Sequence, residues 1–203
     1  MNSYFNLSRS DTRPQARRVL LWGPVCSNKT TQLLIGALRI QHQGFRTLIL
    51  NPACNTRDEP GLVTSHDGLS SIAEQFDSLA GVLALIEQRQ PEAVFLEEAQ
   101  FVPFLGELLA ILEQRGLHVF MSALNMDFEG NPFPVIRDVL HTCDVIQMFS
   151  VCFRCQHPLA THSYKVSSEK AGPNNVLIGG QEAFRPICRQ CFRTTTTQTI
   201  NGL

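Results

Sequence analysis

Residues 23–30, GPVCSNKT, combine the residue types that bind phosphate groups. They follow a short apolar run and precede a pattern with helical spacing. This context matches a phosphate-binding loop, whose consensus is G-x-x-x-x-G-K-[S/T] and whose backbone N–H groups point at phosphate oxygens. In such a loop Lys29 would reach the β- and γ-phosphates, and the Thr30 hydroxyl would bind Mg²⁺. The alternative is an ordinary turn of small polar residues at the start of a helix.

Asn28 stands where the phosphate-loop consensus has its second glycine. At positive φ, a residue with a Cβ costs roughly 1 kcal/mol more than glycine. Asparagine visits this region more often than most residues do. We therefore predict that the loop keeps its shape, with some strain at Asn28.

Two adjacent acids, Glu97 and Glu98, end a second apolar run over residues 93–98. In phosphate-loop proteins an acid at the tip of a neighbouring strand faces the Mg²⁺. Of two such acids, one can hold the metal while the other accepts a proton from a nucleophile. Taken alone, the pair is better interpreted as a solvated strand end that caps the next helix. The phosphate-loop motif in the same chain reverses that preference.

Four of the seven cysteines form two C-x-x-C motifs, at 152–155 and 188–191. Four thiolates paired in this way suit tetrahedral Zn²⁺, and four protein ligands make the site structural rather than catalytic. Two disulfides or a redox pair are the alternatives. The other three cysteines are interpreted as reduced thiols, which favours a reducing compartment. The predicted zinc ligands are Cys152, Cys155, Cys188 and Cys191, and the remaining thiols are Cys26, Cys54 and Cys143.

Composition excludes several classes of protein. The 203 residues are 43% hydrophobic and carry a formal net charge of −1, which is unlike a disordered chain. A protein that wraps nucleic acid non-specifically is normally far more basic. No segment reaches the roughly 18 continuous apolar residues that span a bilayer. Residues 1–17 lack a secretory apolar core and are interpreted as a flexible arm, with a transit peptide as the alternative.

The elements that must position these motifs alternate along the chain. Apolar runs typical of buried strands lie at 18–22, 45–50, 93–98, 117–124 and 144–151. Helical spacing follows the first run up to Gly44 and recurs at 71–90, 101–116 and 135–143. A long irregular loop is predicted over 51–70. This alternation predicts an α/β fold, a P-loop NTPase-like parallel sheet flanked by helices on both faces.

The composition of the chain changes after residue 151. Helical periodicity ends there, and Cys, Pro, Gly and Asn become frequent. We therefore predict four segments. They are a flexible arm (1–17), a nucleotide-binding domain (18–151), a small C-terminal zinc-binding domain (152–193) and a flexible tail that includes the threonine run (194–203).

Seven motifs occur together in one order. They are GPVCSNKT (23–30), PACNTR (52–57), SHDG (65–68), EEAQF (97–101), ALNMDFEGNPF (123–133), VLIGGQEAF (176–184) and CRQCF (188–192). In this order they resemble the type II thymidine kinases, which carry a C-terminal zinc lasso. The resemblance covers about residues 18–193.

The resemblance implies transfer of the γ-phosphate of ATP to the 5′-hydroxyl of thymidine. Glu98 matches the catalytic base of the family, and Thr30 and Glu97 match the magnesium side. The implied cofactors are Mg²⁺ with ATP, and a structural Zn²⁺. The implied ATP-binding residues are Gly23, Pro24, Val25, Cys26, Ser27, Asn28, Lys29, Thr30, Asn55, Arg57, Glu97 and Gln100.

The resemblance also implies a thymine pocket, over which the lasso (residues 156–187) would fold with its backbone groups on the base edge. For the four large apolar residues before the lasso, ordinary core packing is the alternative interpretation. The implied substrate-binding residues are Phe101, Leu124, Phe128, Phe133, Ser163, Asn175, Val176, Leu177, Ile178, Gly179 and Phe184.

Departures from the family pattern concentrate near the phosphate and metal positions. A catalytically impaired nucleotide-binding relative with a regulatory or binding role is therefore one alternative hypothesis, and a zinc-bearing interaction module is another. The family further implies a homotetramer that acts on ATP and thymidine. Together with the near-neutral charge, the reduced thiols and the lack of a long apolar segment, we expect a cytoplasmic protein without a nucleic-acid or membrane partner. The departures are Asn28, Asn55, Glu97, Asn125, Lys165 and Phe184.

Overall fold

The computed structural model describes residues 3–8, 16–167 and 183–200. The strands are β1 (Arg18–Gly23), β2 (Thr47–Pro52), β3 (Leu62–Thr64), β4 (Ser70–Ile72), β5 (Glu74–Phe76), β6 (Ala93–Leu96), β7 (His118–Leu124), β8 (Asp144–Gln147), β9 (His162–Lys165) and β10 (Phe184–Ile187). The α-helices are α1 (Lys29–His42), α2 (Leu79–Arg89), α3 (Leu105–Gln114), α4 (Pro134–Val139) and α5 (Arg189–Ile200). Single 3-10 turns cover Ser3–Phe5, Ala99–Phe101 and Leu140–Thr142.

A six-stranded sheet in the order β5-β2-β6-β7-β1-β8 forms the centre of the fold, and every pair in it is parallel. Its two faces bury separate apolar clusters, because alternate side chains of a strand point to opposite faces. On β1, Leu20 joins the cluster under α2, α3 and α4, whereas Val19 and Leu21 join the cluster under α1. The predicted α/β fold with helices on both faces is confirmed.

Strand order places the chemistry-bearing motifs at one edge of this sheet. The phosphate-loop motif follows β1, the two acids follow β6, and residues 53–57 follow β2. Strand β7 lies between β6 and β1 and pairs with both. Because all these strands are parallel, their carboxyl ends meet, which is where open α/β sheets bind ligands.

Two predicted elements differ from the structure. Within the predicted loop 51–70, β3 begins an antiparallel hairpin with β4. The predicted helix 71–90 begins only at Leu79, because residues 74–76 extend the sheet as β5. Ser78 caps the helix, and its hydroxyl accepts the Gly81 N–H at 3.2 Å.

The ends of the chain also differ from the prediction. Phe5, in the predicted flexible arm, is fully buried, with its ring centroid 5.3 Å from that of Phe120. The Phe5 ring fits against α1 because Gly36 has no side chain; a Cβ at Gly36 would lie 2.3 Å from the ring. At the other end, α5 continues through the threonine run to Ile200, where a flexible tail was expected. The burial of Phe5 depends on a contact with a distant strand, which local composition does not reveal.

A small C-terminal unit follows the sheet. Strands β9 and β10 form an antiparallel hairpin, and the helix α5 follows directly. Its apolar centre contains Cys152, Ala160, Ile187 and Cys188. Within the described residues, no helix is long and apolar enough to cross a membrane.

Candidate functional site

The phosphate-loop segment arches between β1 and α1. Two of its residues, Cys26 and Asn28, have left-handed backbone conformations, with φ of 56° and 61°. Lys29 folds back across the arch and donates from Nζ to the Pro24 carbonyl at 2.6 Å. Burial lowers the pKa of Lys29, while Glu98 and Glu97 oppose that shift. The segment therefore has the arched backbone that the phosphate-loop motif predicts.

Gly23 opens the arch at the end of β1. A Cβ at this position would lie 2.5 Å from the carbonyl oxygen of Met148. No side chain fits there without moving the neighbouring backbone. The first glycine of the motif is therefore required by close approach, independently of any ligand.

Glu97 is completely buried behind the arch. Its Oε1 accepts a short hydrogen bond from the Thr30 hydroxyl, and its Oε2 accepts from the Ser122 hydroxyl at 2.6 Å. Burial, with the nearby Glu98 charge, raises the pKa of Glu97 to about 7. Full burial excludes the solvated strand end that the sequence left open for this residue.

Glu98 turns the chain out of β6 with a left-handed backbone, φ 48° and ψ 49°. Glu98 lines the pocket, and its Oε1 lies 3.5 Å from Arg57 Nη1. The Gln100 amide donates to Oε2 of Glu98, and the Gln100 carbonyl accepts the Leu124 N–H at 3.1 Å. Gln100 therefore connects the base candidate to the end of β7.

The guanidinium of Arg57 lies between both acids, with Nη2 3.9 Å from Glu97 Oε1. The same group lies 3.5 Å from Asp58 Oδ2. Asn55, two residues earlier, is buried and donates to Asn51 Oδ1 at 2.9 Å. The loop after β2 thus supplies one cation and one amide to the pocket.

The donor set of Thr30 and Glu97 fits a magnesium ion. Mg²⁺ prefers oxygen ligands and is commonly held by one or two carboxylates together with substrate phosphates. Here a hydroxyl oxygen and a buried carboxylate oxygen adjoin one another, at the side of the loop where Lys29 lies. A divalent cation there would also offset the cost of ionising the buried Glu97.

One pocket brings twelve of the predicted site residues together. Its lining combines polar and charged groups of the arch with three large apolar side chains, Phe101, Leu124 and Phe184. The predicted residues that line it are Val25, Cys26, Ser27, Asn28, Lys29, Thr30, Asn55, Arg57, Glu98, Phe101, Leu124 and Phe184.

The other predicted substrate residues that the structure describes do not line this pocket. Phe128 stacks on Phe184 with centroids 6.3 Å apart, and Lys165 Nζ lies 5.4 Å from the Phe128 centroid. The Ser163 hydroxyl accepts the Val25 N–H at 3.1 Å, so it supports the arch from behind. Phe133 packs against the apolar core, as the alternative interpretation expected. Residues 175–179 lie outside the described residues.

Sequence reasoning missed three residues of the site. His66 and Thr31 line the pocket, and Ser122 holds Glu97 from below. Burial and the charges of Arg57 and Lys29 lower the pKa of His66. The Thr31 hydroxyl donates to Asp67 Oδ2 at 2.9 Å, which ties the SHDG motif to α1. That motif was a signal for His66, whereas nothing local marks Ser122 within an apolar strand.

The four predicted zinc ligands form one cluster. Their Sγ atoms all lie within 4.8 Å of one another, and those of Cys155 and Cys188 are 3.7 Å apart. A tetrahedral site with Zn–S bonds of about 2.3 Å places its sulfurs ~3.8 Å apart. A disulfide would need about 2.05 Å, and all four cysteines are free. The cluster can bind zinc, and the disulfide alternative does not fit.

A parallel sheet with a phosphate-binding loop after β1 and paired acids after β6 defines a P-loop nucleotide-binding enzyme of the kinase type. The family model described as "Thymidine kinase" matches residues 17–192. The chain therefore belongs to the thymidine kinase family, as the sequence motifs predicted. Thymidine kinase function is confirmed at this level, and the impaired relative is not favoured.

Individual relatives agree with the family model. A thymidine kinase of Thermococcus kodakarensis is 31% identical over 183 residues, covering 84% of this chain and 91% of the relative. A thymidine kinase of Bacteroides thetaiotaomicron is 31% identical over 185 residues, covering 90% of this chain and 89% of the relative. Among solved structures, AMPPCP-bound DnaA from Aquifex aeolicus matches with 10% identity and a TM-score of 0.39 over 68% of this chain and 43% of that one, which is too low to support an inference.

Proposed function

We propose that this chain transfers the γ-phosphate of ATP to the 5′-hydroxyl of thymidine. The observation that carries the proposal is the meeting of Lys29, Arg57 and Glu98 in one pocket, where Thr30 also lines the wall and donates a hydrogen bond to the buried Glu97. Phosphoryl transfer needs cations around the moving group and a base near the attacking hydroxyl. This pocket contains both.

Each charged group has a distinct role in the proposal. Backbone N–H groups of the arch and the Lys29 ammonium bind the phosphates of ATP. Thr30 and Glu97 hold Mg²⁺, which neutralises charge on the phosphate oxygens. Glu98 accepts the proton of the 5′-hydroxyl, while Arg57 faces the moving phosphoryl group.

The apolar side chains of the pocket receive the thymine base. Phe101 and Phe184 offer flat rings and Leu124 adds an aliphatic surface, which together suit a methylated pyrimidine. Phe128 adds a second ring behind Phe184. The family pattern further assigns Asn175, Val176, Leu177, Ile178 and Gly179 to the edge of the base, through their backbone groups.

Further parts of the proposal follow the family. Zn²⁺ is structural, since four protein ligands leave no open position for chemistry. The domain boundaries are those of the sequence analysis, with the kinase domain at 18–151 and the zinc-binding lasso domain at 152–193. The protein acts as a cytoplasmic homotetramer.

The test measures transfer of labelled γ-phosphate from ATP to thymidine. We expect Glu98→Gln to lower kcat by about 10² or more, the usual contribution of a general base. Glu107→Gln, an exposed acid on α3, is the matched control and should retain wild-type kcat. A wild type without transfer, or a Glu98→Gln enzyme as active as the control, contradicts the proposal.

A further inference from the structure

Ser122 is a polar residue in an otherwise apolar, buried stretch of β7. Val119, Phe120, Met121 and Ala123 are all buried apolar neighbours, and Ser122 is itself completely buried. A serine hydroxyl in such a place must find hydrogen-bond partners, because an unpaired buried polar group costs about 1–3 kcal/mol. The partners that Ser122 finds are both parts of the acid pair.

The Ser122 hydroxyl both donates and accepts a hydrogen bond. It donates to Glu97 Oε2 at 2.6 Å and accepts the backbone N–H of Glu98 at 3.1 Å. One oxygen atom therefore fixes the side chain of the first acid and the main chain of the second.

The positions of both acids depend on this bond. The Glu97 carboxylate extends from Ser122 on β7 to Thr30 on α1 and accepts one hydroxyl on each oxygen. Glu98 has a left-handed backbone, which costs roughly 1 kcal/mol and persists only where neighbouring contacts hold it. The bond from its N–H to Ser122 is one such contact.

We propose that Ser122 is a positioning residue for phosphoryl transfer. Its hydroxyl holds Glu97 against Thr30 and fixes the turn that presents Glu98, without touching either substrate. This inference rests on the proposed function for its kinetic consequences. Its structural content, the coupling of Ser122 to Glu97, can be tested by binding alone.

The hydrogen bond between Glu97 and Ser122 depends on the length of the side chain at position 97. An aspartate at position 97, which the family pattern has, is shorter by one carbon–carbon bond of about 1.5 Å. From the same backbone position it would lose contact with either Ser122 or Thr30. We therefore expect the effects of Glu97→Asp and Ser122→Ala on kcat to be non-additive. The kcat of the double variant should lie within about twofold of the kcat of the less active single variant.

The first measurement is the kinetics of Ser122→Ala. We expect kcat to fall about tenfold or more, while the KM values for ATP and thymidine change by less than about threefold, because Ser122 contacts the acids and not the substrates. Ser71→Ala on β4 is the matched control and should keep wild-type kinetics. The proposal is overturned if the kcat of Ser122→Ala lies within about twofold of the wild-type value. It is also overturned if the effects of Glu97→Asp and Ser122→Ala on kcat multiply in the double variant.

A second pair of variants separates the hydroxyl from packing. Ser122→Thr and Ser122→Val place side chains of nearly equal shape in the strand, and only threonine keeps the hydroxyl. We expect the threonine variant to retain about ten times the kcat of the valine variant, with similar thermal unfolding temperatures. Equal kcat values in the two variants would show that Ser122 acts by packing alone.

Trp22 supplies a readout that does not require turnover. It is the single tryptophan, it precedes the arch, and its neighbour Leu21 pairs with Ser122 across the sheet. Its fluorescence can follow an ATP titration with and without Mg²⁺. We expect Mg²⁺ to tighten ATP binding in the wild type and in Ser122→Thr, and to have little effect in Ser122→Val.

The two kinds of failure are distinguishable. A wild type that binds Mg²⁺–ATP without transferring phosphate defeats the proposed function, yet its titration still tests Ser122. An equal magnesium effect in the threonine and valine variants defeats the positioning role, whatever the activity. A wild type whose ATP binding ignores Mg²⁺ defeats it as well.

Discussion

Asn125 joins the nucleotide-binding unit to the zinc-binding unit, and its replacement by aspartate should weaken that connection. Asn125 follows β7 and is 3% exposed, and its Nδ2 donates to the Thr161 carbonyl at 2.7 Å. Because the partner is a carbonyl oxygen, only a donor is tolerated at that position. The family pattern has an acid here, so Asn125→Asp tests whether this chain depends on the amide.

The magnitude follows from the two groups involved. Asn125→Asp removes a hydrogen bond, leaves the Thr161 carbonyl unpaired and sets a buried carboxylate against it. Together these effects cost about 3 kcal/mol. For a chain of this size, each kcal/mol lowers Tm by about 2–4 °C, so we expect a decrease of ~6–12 °C near pH 8. Asn125→Ala, which buries no charge, should lose about half as much.

The pH dependence separates this explanation from simple loss of packing. Burial raises the folded-state pKa of the new aspartate above its unfolded value of about 3.9. Its protonated form can donate to the Thr161 carbonyl as the amide does. Destabilisation should therefore be small at acidic pH and grow as pH rises through the folded-state pKa.

The assay is thermal unfolding of the wild type, Asn125→Asp and Asn125→Ala between pH 5 and pH 8. Gln88→Glu, an amide-to-acid change at an exposed position of α2, is the matched control and should change the free energy of unfolding by under about 0.5 kcal/mol. If Asn125→Asp is as stable as the wild type at pH 8, or if its deficit does not vary with pH, the reasoning is refuted.

Three further predictions concern the arch, the N-terminal segment and the metal. Asn28→Gly relieves the left-handed strain and should raise the free energy of unfolding by up to about 1 kcal/mol in denaturant titration, with kcat/KM for ATP no lower than wild type; a lower kcat/KM contradicts this. Gly36→Ala drives a Cβ into the Phe5 ring and should destabilise by about 1–3 kcal/mol, whereas deletion of residues 1–8 should remove most of that difference. Elemental analysis should find about one Zn²⁺ per chain, and Cys152→Ser should lose it; metal-free folded wild type contradicts the zinc site.

Residues whose chemistry depends on local spacing could be predicted from the sequence. The arch with Lys29 and Thr30, the acid pair after β6 and the two C-x-x-C motifs each occupy a few consecutive positions, and the structure has them in the expected setting. Their backbone requirements are local too, because a left-handed turn or a knuckle is specified within one or two turns of chain.

Residues that act across long sequence separations could not be predicted. Ser122 reaches the acid pair from a strand about 25 residues later, since β6 and β7 are neighbours in the sheet. Phe5 lies in a segment predicted to be a flexible arm, because Tyr4 and Phe5 among polar residues carry no periodic signal. Its burial depends on the absence of a side chain at Gly36.

The sequence by itself determined the class of enzyme, the parallel α/β fold and the residues that could bind a metal and phosphate groups, because these follow from short motifs and hydrophobic periodicity. Tertiary structure alone decided how those groups are held: Glu97 buried between two hydroxyls, Arg57 between two acids, and Asn125 against the zinc-binding unit. The physical reason is that burial, and hence the strength of each polar contact, is set by strand order and packing between distant segments.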